Sequence, residues 1–90
     1  MSYPDKRLIQ SRFRESLERY IAHGYQPGGF LTAVLANDLK EAVGRADEEA
    51  LQNIPHIVAY LYNDVPGMAW GSPESVRAWM AHKREAVNAS

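Results

Sequence analysis

The stretch Pro27-Gly28-Gly29-Phe30-Leu31-Thr32-Ala33-Val34-Leu35-Ala36-Asn37-Asp38-Leu39-Lys40-Glu41-Ala42-Val43 decides how the rest of the chain is read. It is the most apolar run in the sequence, entered through a Pro-Gly-Gly turn. Its apolar residues recur at helical spacing, which predicts a central helix over about 29–44. At about 100° per residue, the apolar arc of that helix takes in Leu31, Val34, Leu35, Leu39, Ala42 and Val43. Asp38 falls inside the same arc. A carboxylate there must find donors, because burying an unpaired charge is costly. Two readings follow. Asp38 is a structural acceptor for Trp70, a tyrosine hydroxyl, a loop amide or an arginine, or it is a ligand-contacting or acid/base group. Asn37, Glu41 and Arg45 form a second line beside the arc at i, i+4 and i+8. Glu41 precedes Arg45 by four residues, the favourable order for a helical ion pair of ~0.2–0.5 kcal/mol.

Outward from this stretch the chain reads as further helices. Before it, Ile9, Phe13, Leu17, Tyr20 and Ile21 make one stripe of a helix from about Asp5 to His23. Gly24 ends that helix by taking the left-handed conformation. After the central stretch, two paths are open between Gly44 and Asn53. Either a short helical turn near Asp47–Gln52 precedes a helix capped by Asn53, or one kinked helix runs through. Pro55 costs ~3 kcal/mol deep in a helix, so a helix from about Asp47 with a disturbance before Pro55 is expected. Ile54, Ile57, Val58 and Leu61 form its buried face. Tyr60 and Tyr62 lie on different sides of it, so at least one is exposed or at an interface. Val65–Gly71 is a loop containing Trp70. Ser72-Pro73-Glu74 then combines a cap, a first-turn proline and an early acid, the signature of a helix start. That last helix runs to about Glu85, with Val76, Trp79 and Met80 as its packing face. The fold expected is all-α: one helical domain over 1–90, a small bundle of three to four helices, with frayed ends at about 1–4 and 86–90.

Composition narrows the function. Ninety residues with 46% hydrophobic content, two Trp, five Tyr and two Phe suffice for a single core. There is no cysteine, hence no disulfide framework and no thiolate ligand or nucleophile. No apolar run approaches the roughly eighteen residues of a membrane span. The N-terminus lacks the apolar segment of a secretory leader, and a cytoplasmic setting is expected. A net charge of -1 gives no global attraction to nucleic acid. Arg7, Arg12, Arg14 and Arg19 are interrupted by Glu15 and Glu18, so a DNA-reading first helix is disfavoured. The charge is nonetheless uneven. Lys6, Arg7, Arg12, Arg14 and Arg19 precede an acidic middle with Asp38, Glu41, Asp47, Glu48, Glu49 and Asp64. The first helix is expected to meet that middle within one chain or across a subunit boundary, unless the surface is simply mixed.

Chemistry-bearing patterns are few. Trp70-Gly71-Ser72-Pro73 sets an aromatic beside a helix N-terminus, where free amides can hold an anion while an indole stacks on a base. The competing reading is that Trp70 plugs the core and Ser72 only caps. Pro27-Gly28-Gly29 lacks the Gly-Lys-Ser/Thr ending of a phosphate-binding loop. His23, His56 and His82 are scattered, so no metal site is expected. No serine or threonine has an orienting histidine and acid nearby in sequence, so no enzyme is expected.

The blocks Pro27–Leu39, Arg45-Ala46-Asp47, Leu61-Tyr62-Asn63 and Trp70-Gly71-Ser72-Pro73 resemble a group of short proteins encoded by tailed bacteriophages and prophages, over about residues 15–80. The resemblance implies a phage origin and a host bacterial cytoplasm. It implies no activity and no cofactor. By analogy with small non-enzymatic phage proteins, two functions are expected. The first is sequestration of a small anionic, nucleotide-like immune signal by Asn37, Asp38, Glu41, Arg45, Tyr62, Trp70, Gly71 and Ser72. The alternative is a protein-interaction module that inhibits or redirects a host bacterial protein. A chain this short has a small core, and a homo-oligomer is expected in either case.

Overall fold

The computed structural model of the chain describes residues 8–88. Five α-helices follow in order: α1 (Ser11–His23), α2 (Gly29–Leu35), α3 (Leu39–Arg45), α4 (Glu48–Asp64) and α5 (Pro73–Asn88). A 3-10 turn at Gly67–Ala69 lies between the last two. No strand occurs among the described residues. The all-α class is as expected, but the helix count exceeds three to four.

The additional helix comes from a break in the central stretch, which is not one helix over 29–44. Asn37 takes a left-handed conformation with φ 61°. Its N–H donates to the Val34 carbonyl, and the Asp38 N–H donates to the Ala33 carbonyl at 2.8 Å. These two bonds close α2 in a Schellman motif, with Asn37 in the position that glycine usually fills. Asp38 then caps α3, its Oδ1 accepting from the Glu41 N–H at 3.2 Å. Asp38-Leu39-Lys40-Glu41 is thus an acid followed three residues later by glutamate, a helix-start signature. The break changes the phase of everything after it. Leu31, Val34, Leu35 and Ala42 are buried, whereas Leu39 is 68% exposed and Val43 is exposed as well.

α2 remains the centre of the fold, packing on α4 and α5 as well as α3, while α1 lies against α5. The core gathers Phe13, Leu17 and Tyr20 of α1 with Leu31 and Leu35 of α2. Ile57 and Leu61 of α4 and Val76 and Trp79 of α5 complete it. Two buried hydrogen bonds lock its middle. The Tyr20 hydroxyl donates to the Ala69 carbonyl at 2.7 Å, and the Trp79 indole N–H donates to the Tyr20 carbonyl at 3.1 Å. Burial pushes the Tyr20 phenol up to about 12. α1 ends at Gly24, φ 72°, where a Cβ would stand 2.7 Å from Lys83 Cβ. Glycine therefore serves both the turn and the close approach of α5.

α1 begins at Ser11 rather than near Asp5; residues 5–7 lie outside the described residues. Asn53 of α4 holds the residue just ahead of that start. Its side-chain oxygen accepts the Gln10 N–H at 2.8 Å, and its amide donates to the Glu49 carbonyl. Asn53 is buried inside α4 and does not cap a helix. Of the two paths, a single helix runs through: α4 is unbroken across Pro55, starting from an Asp47 cap that accepts the Ala50 N–H at 2.8 Å. Pro55 withholds the N–H that the Leu51 carbonyl would receive, but both residues are on an exposed side of α4. α5 starts at the expected Ser72–Pro73 boundary and extends past Glu85 to Asn88. Of the ends expected to fray, 1–4 and 86–90, residues 86–88 belong to α5, and 1–4 and 89–90 lie outside the described residues.

Arg12 of α1 reaches the acidic middle within the chain, 3.0 Å from Asp47 Oδ2 and 3.6 Å from Glu49. The Ala50 N–H and the Arg12 guanidinium hold the Asp47 carboxyl below its ordinary value. Among the described residues no helix is long and apolar enough to cross a membrane.

Candidate functional site

α4 is patterned to be covered on two sides. Its core side carries Ala50, Asn53, Ile57, Tyr60 and Leu61, all buried. Leu51, Ile54, Pro55, Val58 and Tyr62 recur at i, i+3, i+4, i+7 and i+11 and project within an arc about 100° wide. These five are half-buried or exposed, and Tyr62 is 78% exposed. Gln52, His56 and Asn63 occupy the remaining polar strip. A helix apolar around more than half its circumference is normally packed on both faces. Here the second face is covered only in part, along Ile54 and Val58.

The break at Asn37–Asp38 extends this second apolar face onto α3. Leu39 and Ala42 line a cleft of about 60 Å³ against Ile54 and Val58, with Val34, Asn37 and Asp38 at its end. The same Ile54 and Val58 continue into a wider open groove of about 550 Å³, bounded by Pro55, Ala59, Tyr62 and Asn63. Leu39 of α3 and Ile54, Pro55, Val58 and Tyr62 of α4 thus form one two-helix platform, and Val43 and Leu51 are further exposed apolar residues of the same two helices. Tyr62 and Leu39 are its most exposed members, at 78% and 68%.

Three of the residues singled out in the sequence, Asn37, Asp38 and Tyr62, border these two grooves. The others are elsewhere or engaged. Arg45 Nε donates to Glu41 at 2.8 Å, the i, i+4 pair read from the sequence. Trp70 is partly buried and packs against the core. The Gly71 N–H donates to the Leu35 carbonyl at 2.7 Å, so that amide is already bonded within the chain. Ser72 Oγ accepts from the Ser75 N–H and its hydroxyl donates to Ser75 Oγ, which makes it the cap of α5. Asp38 is an exposed cap and not an acid wedged among apolar neighbours.

A second cleft, about 280 Å³, lies between α1 and the start of α2, lined by Arg12, Phe13, Ser16, Gly28, Gly29, Phe30 and Leu31. The Phe13 and Phe30 rings sit 5.4 Å apart and Arg12 covers the Phe13 face at 4.3 Å. Arg45 abuts Gly29, where a Cβ would come within 3.0 Å of its guanidinium. Both arginines already face carboxylates, Arg12 at Asp47 and Arg45 at Glu41. Among the described residues no group of three or more His, Cys, Asp or Glu side chains is placed to hold a metal ion.

The residues missed at the level of sequence are Leu39, Val43, Leu51 and Pro55. The signal for Leu51 and Pro55 lies on α4, whose wheel is apolar over too wide an arc for one packing face. In comparison with known proteins, the chain matches no family model, no curated protein and no solved structure.

Proposed function

We propose that this chain works by protein–protein contact and not by chemistry, and that the α3–α4 platform is its protein-binding surface. One observation carries the reading: α4 is apolar on two faces, and on the second of them Leu51, Val58 and Tyr62 are left exposed. An open apolar groove with an aromatic at its edge suits a helix or a sheet surface of another protein. In the phage setting implied by the resemblance, a host bacterial protein is the natural target and binding would inhibit or redirect it.

Sequestration of a nucleotide-like anion draws less support. Such a ligand needs unpaired donors, yet Arg45 is matched by Glu41, Arg12 by Asp47, and the Gly71 amide by Leu35. The test uses both arms. The chain, fixed as bait, selects from a displayed library of helical peptides, and a Tyr62→Lys bait runs in parallel. Enriched peptides with apolar residues at i, i+3 or i+4, and i+7, lost with the variant bait, support the proposal. Calorimetric binding of a cyclic or linear nucleotide, with no peptide enriched, overturns it.

A further inference from the structure

Where α2 turns into α3, two seven-residue helices meet at a corner that the sequence also allows to run straight. We propose that this corner is a conformational switch: bent in this structure, it opens into one helix over 29–45 and so takes α3 away from α4. Its use as a switch of binding rests on the reading of the α3–α4 platform as a protein-binding surface. The joint itself does not.

The local terms at the corner oppose one another. Bending closes α2 through the Val34 and Ala33 carbonyls and gives α3 its Asp38 cap. Straightening gives up that cap, but it supplies helical acceptors to the first amides of α3, which a helix start leaves without partners in the helix. It also releases Asn37 from φ 61°, a conformation that a residue with a Cβ adopts at a cost. The apolar positions Leu31, Val34, Leu35, Leu39, Ala42 and Val43 keep one phase across the corner, so the straight helix is amphipathic as well.

Contacts from outside the corner therefore decide the bent state. The Gly71 N–H holds the Leu35 carbonyl at 2.7 Å, the acceptor that a continuing helix would offer to Leu39. Ala42 is the one buried side chain of α3, 2% exposed. Arg45 lies across Gly29, its Cδ 3.2 Å and its guanidinium 3.0 Å from where a Cβ would stand. The bent form alone buries Ala42 and is the resting state. Opening carries Leu39 and Ala42 off Ile54 and Val58 and dismantles the cleft between them. The platform is then complete only while the joint is bent.

The ends of the stretch report the state. In one helix Gly28 and Gly44 stand about 24 Å apart, sixteen residues at ~1.5 Å each, whereas here Arg45 touches Gly29. The chain has no cysteine, and a Cβ at Gly28 or Gly44 meets nothing within 4 Å, so Gly28→Cys with Gly44→Cys takes two spin labels at open positions. Dipolar spectroscopy then compares this pair alone, with Asn37→Gly and with Asn37→Ala. The first two are expected to show mainly a short distance. Alanine disfavours the left-handed turn and favours helix, so Asn37→Ala is expected to show at least tenfold more of a population at about 24 Å or beyond, with a gain in helical circular dichroism. The same variant should lose the peptides that the native chain selects.

A single short distance in a folded Asn37→Ala chain overturns the proposal, as does a straightened variant that selects peptides like the native chain. Should Asn37→Ala fail to fold, thiol labelling of Ala42→Cys decides. It is expected to run at least tenfold faster than that of Ala69→Cys, a site 0% exposed, and to slow once Asn37→Gly is added. Equal rates at the two sites overturn the proposal. A native chain that selects no peptide ends the platform reading instead, while the distances still decide the joint.

Discussion

Replacing Asp38 separates two physical roles for the same side chain. As the cap of α3, Asp38 gives an oxygen to the Glu41 N–H and needs no charge to do so. Asparagine caps as well as aspartate, whereas alanine at such a position costs ~1 kcal/mol, within a range of about 0.5–2. α3 has only seven residues, so little else holds its first turn. For a domain of this size 1 kcal/mol moves Tm by about 4–8 °C. Asp38→Ala is therefore expected to melt roughly 4–8 °C below the native chain. Asp38→Asn loses only the attraction of a negative charge to the positive helix end, ~0.3 kcal/mol at an exposed site, or about 2 °C. Thermal unfolding followed by circular dichroism at dilute concentration reads both. The reasoning fails if Asp38→Ala melts with the native chain. It also fails if Asp38→Asn falls as far as Asp38→Ala, since that ordering belongs to an ionised acid held by buried donors.

Other substitutions probe the remaining joints. Asn53→Ala strands the Gln10 N–H and is expected to cost about 2 kcal/mol by denaturant unfolding; an unchanged midpoint would mean that the α1–α4 link does not form. Gly24→Ala meets both a left-handed φ and the Lys83 Cβ at 2.7 Å, so a loss above about 1–2 kcal/mol is expected, and a stabilised variant would contradict the geometry. The Tyr20 phenol is raised in the folded chain, so above its ordinary value of 10.0 only the unfolded state sheds the proton. Stability should thus be intact below pH 10, fall as pH rises, and level off near pH 12. Tyr20→Phe should flatten that fall in stability measured against pH, and a native-like slope in the variant would assign it to other groups.

Much of the fold is legible in the chain because its strongest signals are local. Gly24, Ser72-Pro73 and the α1 stripe each act through a cap or a single face, and each stands where its spacing puts it. The central stretch misleads for a physical reason. Apolar periodicity runs through Asn37-Asp38 with little interruption, so helical phase alone carries one helix across the pair. Asn tolerates a left-handed φ and Asp accepts an amide, so together they can close one helix and open the next. The Asp38…Glu41 spacing contained that information. Asn53 is hidden for the opposite reason: its partner is a backbone N–H forty-three residues away, which no local pattern reports. The platform is legible only after the break is known, because Leu39 joins α4's second face only in the rotated phase.

The most direct measurement of this architecture is solvent access to individual methyl groups. A soluble paramagnetic probe, applied to the Tyr62→Lys chain at low concentration, should relax the methyls of Leu39, Val43, Leu51 and Val58 strongly. Those of Leu35, Ile57 and Leu61, which are fully buried, should be nearly untouched. If Leu39 and Val43 prove as shielded as Leu35, the central stretch is one continuous helix and the platform does not exist.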